Sequence, residues 1–165
     1  MIGQMTLSAM REVILGLAHK RFGSPAATSR EFVWYLATPY THPSRLVRED
    51  RADEAARWAG LLLEGGLNVF SPIAAHHAAS MHMHEQPSHA GWMDICYAML
   101  DRCDGLMVVM MDGWRESEGV RLEIARWVER HYGSRARLVY ASMDHQPVEH
   151  QRPVFSMVAE NLVDC

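Results

Sequence analysis

Short apolar runs alternate with amphipathic segments along most of the chain. Phe32-Val-Trp-Tyr-Leu-Ala reads as a first strand and Leu67-Asn-Val-Phe-Ser-Pro as a second. Leu106 to Met111 is an unbroken apolar run, β-branched at Val108 and Val109. That is the pattern of a parallel strand buried on both faces. Arg137-Leu-Val-Tyr-Ala reads as a fourth strand, and Val154-Phe-Ser-Met-Val as either a fifth or a terminal helix. Between the strands, Arg45 to Glu64 predicts a helix whose stripe is Ala52, Ala55, Ala56, Ala59, Leu62 and Leu63, ended by Gly65-Gly66. Ala90 to Arg102 predicts another. A third starts at Ser117, a good N-cap, and runs to about Tyr132, with Val120, Ile124 and Val128 spaced four apart. Ile73 to Gly91 is His-rich with weak periodicity and reads as a loop with a helical piece.

Strand and helix alternate, which predicts an α/β three-layer sandwich. The expected core is a flavodoxin- or Rossmann-like parallel sheet of about five strands with helices on both faces. Residues 1–30 read as an N-terminal helical extension, with Leu7, Met10, Ile14 and Leu17 at helical spacing before the break at Gly23-Ser-Pro. Residues 31–165 then form a single domain, a size that buries enough surface to need no staples.

Composition narrows the function. The net charge of -4 argues against binding a nucleic-acid polymer, which calls for a basic excess, but leaves a single nucleotide open. Three cysteines without a CxxC pair point to reduced thiols and a cytoplasmic location. No apolar run is long enough for a membrane span, so no membrane role is expected. Neither GxGxxG nor GxxxxGK[ST] is present.

In an open parallel sheet, ligands sit beyond the carboxyl ends of the strands at the switch point. For a flavodoxin-like order that point lies between the first and third strands, so the loops Thr38–Ser44 and Asp112–Glu118 face it. The second loop leads into a helix N-terminus, a natural place for an anion. Glu123 lies a turn and a half into that helix. On pattern alone it reads as a solvated helix residue, and Ser117 as a cap.

Three motifs carry a resemblance. Tyr35-Leu-Ala-Thr-Pro-Tyr follows the first strand, Asn68-Val-Phe-Ser-Pro lies on the second, and Glu116-Ser-Glu-Gly-Val-Arg-Leu-Glu-Ile opens a helix. In this order they resemble the nucleoside 2-deoxyribosyltransferase superfamily, in particular an uncharacterised bacterial and phage branch described as a domain of unknown function. The resemblance covers roughly residues 32 to 142. It implies that Glu123 is the nucleophile that attacks the anomeric carbon of a nucleoside sugar. Ser117, six positions earlier, is similar to the serine of the nucleoside 5′-monophosphate N-glycosidases rather than to the aspartate of the transferases. The family's assisting aspartate falls at Cys96, eight residues before Asp104. The nearby carboxylates are Asp94 and Asp101. Asp94 is displaced from that position by about 200° around a regular helix, and Asp101 is further down the helix.

The chemistry needs such residues. Breaking an N-glycosidic bond passes through an oxocarbenium-like sugar, which a carboxylate below the ring stabilises and can trap as a glycosyl-enzyme. A tyrosine hydroxyl, such as that of Tyr35, favours the ionised carboxylate. A second group, Asp94 or a histidine of the 76–89 segment, must assist the leaving base. The expected catalytic set is Glu123, Asp94 and Tyr35. Expected substrate contacts are Thr38, Pro39, Tyr40, Ser71, His76, Trp114, Ser117, Glu118 and Gly119. The ligand expected is a small nucleoside or nucleotide, with water or a second base as acceptor. No cofactor and no metal are expected. Of ten histidines, five lie between His76 and His89, but without zinc-site spacing. The resemblance also implies a homodimer or higher oligomer, with residues near Ser142 completing a neighbour's site. The alternative is a non-catalytic nucleotide-binding module of the same fold.

Overall fold

A computed structural model of the chain describes residues 32–131, 138–143 and, as backbone, 153–157. The N-terminal extension expected over 1–30 lies outside the described residues. The elements run β1 (Val33–Ala37), α1 (Arg45–Glu64), β2 (Asn68–Phe70), α2 (Pro72–Ser80), α3 (His89–Leu100), β3 (Gly105–Val109), α4 (Glu118–Arg130), β4 (Leu138–Met143) and β5 (Pro153–Met157). They form one sheet in the order β2-β1-β3-β4-β5. β1 through β4 pair in parallel, the expected α/β sandwich with its switch point between β1 and β3. β5 differs from the expected parallel arrangement: it pairs antiparallel along the edge of β4. The stretch 144–152 is too short for the crossover of a dozen or more residues that a parallel return requires.

The β1–β3 seam is the centre of the core. Tyr35, Leu36, Ala37, Leu106, Met107, Val108 and Val109 are completely buried. Alternation along β1 sends Trp34 and Leu36 to the α1 face, with Trp58, Leu62, Met107 and Val109. It sends Tyr35 and Ala37 to the other face, with Leu100, Leu106, Val108, Val120 and Trp127. Where Trp34 pairs with Gly105, its ring lies over the glycine. Asp104 secures the start of the seam: its carboxylate accepts from the Val33 N–H at 2.9 Å, and its own N–H donates to Val33 O at 2.8 Å.

Two helices refine the expected pattern. The buried stripe of α1 is Ala52, Ala55, Trp58 and Leu62, while Ala56 and Leu63 face solvent. The observed spacing of three, three and four tracks the 3.6-residue turn, so Trp58 joins the face, with the expected Ala59 packed partly buried against the same core. Expected as a loop with a helical piece, the His-rich segment has that piece at its start, as the regular helix α2. Ser71 caps it by accepting from the Ala74 N–H at 3.2 Å, Pro72 occupies its first turn, and four alanines fill its body. Gly65-Gly66 ends α1 as expected, with Gly66 N–H on Leu63 O and Leu67 N–H on Leu62 O.

Candidate active site

The side chain at the centre of the site is Glu123. The fully buried positions of α4 are Val120, Glu123 and Trp127; of the expected stripe, Val120 is one of these and Ile124 packs partly buried against the same core. A three-then-four spacing fits a helix face as well as four-then-four, and a carboxylate there is invisible to a count of apolar positions. Glu123 is 5% exposed. The hydroxyl of Tyr35, from the middle of β1, donates to Glu123 Oε1 at 2.5 Å. Cys96 of α3 faces the same pair. Burial pushes the Glu123 carboxyl up from its ordinary value of 4.5 to about 7, while the Tyr35 hydroxyl and the Cys96 thiol hold it from rising further. The same burial, with Glu123 adjacent, lifts the Cys96 thiol to about 11 and the Tyr35 hydroxyl well above its ordinary value. Both are therefore protonated donors across the accessible pH range.

Glu123 lines a cleft of about 320 Å³ beyond the carboxyl ends of β1 and β3, in the size range of small-molecule sites. The first turns of α2, α3 and α4 all border it, through Pro72 and Ile73, His89 and Trp92, and Ser117 and Gly119. Helix N-termini carry partial positive charge, so together they favour an anionic or polar ligand group. Ser117 accepts from the Val120 N–H at 3.4 Å and Ser88 from the Gly91 N–H at 3.2 Å, which sets both helix starts. Among the described residues on this lining, Glu123 alone carries a carboxyl group.

One wall is aromatic and imidazole-rich. His76 lies between Phe70 and Trp92, with ring centroids 6.2 and 6.1 Å away. Its Nδ1–H donates to Pro72 O at 2.9 Å, which leaves Nε2 available to a ligand. Tyr40 and His77 meet across the cleft mouth, hydroxyl to Nδ1 at 3.0 Å. Arg48 also lines the cleft, its guanidinium donating to the carbonyls of His42 and Pro43. Behind it, Arg51 donates to Thr41 O at 2.8 Å and Asp112 O at 3.3 Å, which ties together the two loops that frame the site. Gly113 permits this tie. Its φ is +79°, and a Cβ there would meet the Arg51 guanidinium.

Of the expected residues, Thr38, Tyr40, His76, Ser117, Gly119 and Glu123 line the cleft. Tyr35 lies directly beneath it, completely buried. Pro39 and Ser71 are buried next to it, Ser71 as the cap of α2. Others stand apart. Asp94 is exposed on α3, off the lining, because α3 starts at His89 as a regular helix and turns that position outward. Asp101 is engaged elsewhere, by Arg126 at 2.7 Å and Arg130 at 3.2 Å. Glu118 points to solvent. Trp114 packs edge-on against Tyr140 at 5.5 Å with Arg115 over its ring, away from the lining. Trp92, Met93 and Arg48 also line the cleft and were not expected there. Trp92 and Met93 share one helix face with His89 and Cys96, so the position flagged at Cys96 already pointed to that face.

Residues 33–135 match the domain family described as Domain of unknown function (DUF1937). The chain belongs to this family. The matched span covers β1 through α4, and with them every residue that lines the cleft. No curated protein matches the sequence. Among the described residues, no group of three or more His, Cys, Asp or Glu is placed to hold a metal ion, and no helix is long and apolar enough to cross a membrane.

Proposed function

We propose that this DUF1937 domain cleaves or transfers the N-glycosidic bond of a nucleoside or nucleoside 5′-monophosphate, with Glu123 as nucleophile. The observation that carries the reading is a buried carboxyl on the floor of the cleft, the one acid on its lining among the described residues, held by a tyrosine on β1. A structural glutamate has little reason to be there, since burial without a cationic partner costs free energy and raises its pKa. The three motifs that resemble the deoxyribosyltransferase superfamily supply the reaction class.

In the first step an ionised Glu123 oxygen bonds to the anomeric carbon. The C–N bond breaks, and its electron pair leaves on the base nitrogen, which a donor hydrogen-bonds or protonates. His76 and His89 border the cleft and, when protonated, are the available donors in place of Asp94. In the second step water, or the nitrogen of another base, attacks the same carbon and releases Glu123. The Tyr40, His76 and Trp92 wall suits the flat base. The N-terminal turn of α4 suits the 5′-hydroxyl or phosphate. A homo-oligomer with sites shared near Ser142 belongs to the same proposal.

A second reading is a non-catalytic nucleotide-binding module, favoured by Cys96, a thiol where the related enzymes carry an assisting acid. A chromatographic assay of wild type and Glu123→Gln against ribo- and deoxyribonucleosides and their 5′-monophosphates, with and without added base, separates the two. Base release or exchange by wild type and not by Glu123→Gln supports the enzyme. Tight binding with no turnover by either supports the module.

A further inference from the structure

The hydroxyl of Thr38 is the feature the site leaves unused. Thr38 is 5% exposed and borders the cleft, yet its Oγ1 has no hydrogen-bond partner among the described residues. A buried hydroxyl without a partner costs free energy, and a valine of nearly the same shape avoids that cost. Trp34 and Trp127 also bury unpartnered N–H groups, but neither borders the cleft. Thr38 is thus a polar residue, nine-tenths or more buried, on the border of the ligand's space.

Topology places it relative to the rest of the ligand. Thr38 immediately follows β1, and β1 lies between β2 and β3 in the sheet. β2 leads into α2 with its His76 and His77 wall, and β3 leads to the N-terminal turn of α4 with Ser117 and Gly119. The hydroxyl therefore sits between the aromatic side of the cleft and the helix N-terminus. In a nucleoside, the sugar is what lies between the base and the 5′ group.

We infer that the Thr38 hydroxyl hydrogen-bonds a ring hydroxyl of the sugar and so sets which sugar the site accepts. This rests on the nucleoside reading above. A threonine hydroxyl both donates and accepts, which matches a sugar hydroxyl. A site built to hydrogen-bond a substrate hydroxyl discriminates against the analogue that lacks it, because its own polar group is then left unpaired.

The test is Thr38→Val, with Thr38→Ser alongside, each assayed on ribo-, 2′-deoxyribo- and 2′,3′-dideoxyribonucleosides (and their 5′-monophosphates) with the melting temperature recorded. Thr38→Val is expected to melt no lower than wild type and to lose about tenfold in kcat/KM on the sugar that wild type prefers. On the sugar that lacks the partnered hydroxyl it should lose little, so the preference between sugars collapses. Thr38→Ser is expected to keep the preference. The same sugar preference in Thr38→Val as in wild type overturns the inference while leaving the nucleoside reading intact. A lower melting temperature for Thr38→Val with unchanged sugar preference makes the hydroxyl structural and overturns it too. Wild type inactive on every nucleoside overturns the underlying reading instead.

Discussion

The Tyr35 hydroxyl donates to the Glu123 carboxyl at 2.5 Å across 88 positions of sequence. One residue comes from the middle of β1, the other from the sheet-facing side of the helix that follows β3. The bond joins the two elements that define the switch point, and it gives the buried carboxyl its shortest polar contact. Without that donor, only the Cys96 thiol would oppose the effect of burial on Glu123.

A stability cost follows from this burial. The folded carboxyl titrates near 7 and the unfolded one near 4.5, so folding takes up a proton between those values. The contribution of Glu123 to stability is full below about pH 4.5 and is lost as pH rises through 7. Glu123→Gln is neutral at every pH and keeps the shape. It is expected to be inactive, to match wild-type stability near pH 4.5, and to exceed it by up to about 3 kcal/mol at pH 8. Thermal melts of both proteins across this range measure it, and equal differences at both ends would contradict the buried, elevated carboxyl.

Catalysis should show the same group with the opposite benefit. In the proposed reaction the nucleophile is the ionised form, so kcat/KM on the preferred nucleoside is expected to rise with pH through a value near 7. In Tyr35→Phe the ionised form loses a donor, and the rise is expected to move about one pH unit higher. A pH profile of kcat/KM for both proteins checks this; coincident profiles would remove Tyr35 from the role.

Asp94→Asn provides the matching negative. Asp94 is exposed and off the cleft lining, so kcat and KM are expected to stay within about twofold of wild type. Steady-state kinetics on the same nucleoside decide it, and a loss of an order of magnitude would return Asp94 to the site.

Gly105→Ala tests the core under the site. A Cβ at this position would stand 2.5 Å from Trp34 Cε3, on the adjacent strand. The overpacking is expected to cost about 1–3 kcal/mol, read as a lower urea midpoint. The companion change Trp34→Leu should recover part of the lost tolerance at position 105, since it removes the ring that the new methyl would strike.

Much was legible in the chain itself because local rules determine it. Apolar runs, the Ser117 cap, the Gly65-Gly66 stop and strand–helix alternation are short-range features. They specified the parallel sheet, the switch point and the two loops that frame the cleft. Glu123 was singled out too, though only through resemblance, because a carboxylate interrupts an apolar stripe instead of announcing a site.

Tertiary structure decided what depends on facing, which a sequence pattern leaves open by a fraction of a helical turn. The expected stripes of α1 and α4 lacked Trp58, which lies in the core, and Glu123 and Trp127, of which Glu123 lies under the cleft. The start of α3 at His89 turned Asp94 outward and put Cys96, Trp92 and Met93 on the cleft. The reversal of β5 followed from a connection too short to cross over. Above all, the hydroxyl of Thr38, partnerless among the described residues, and the Tyr35–Glu123 bond depend on which groups meet in space, and local propensity carries no information about contacts between elements far apart in the chain.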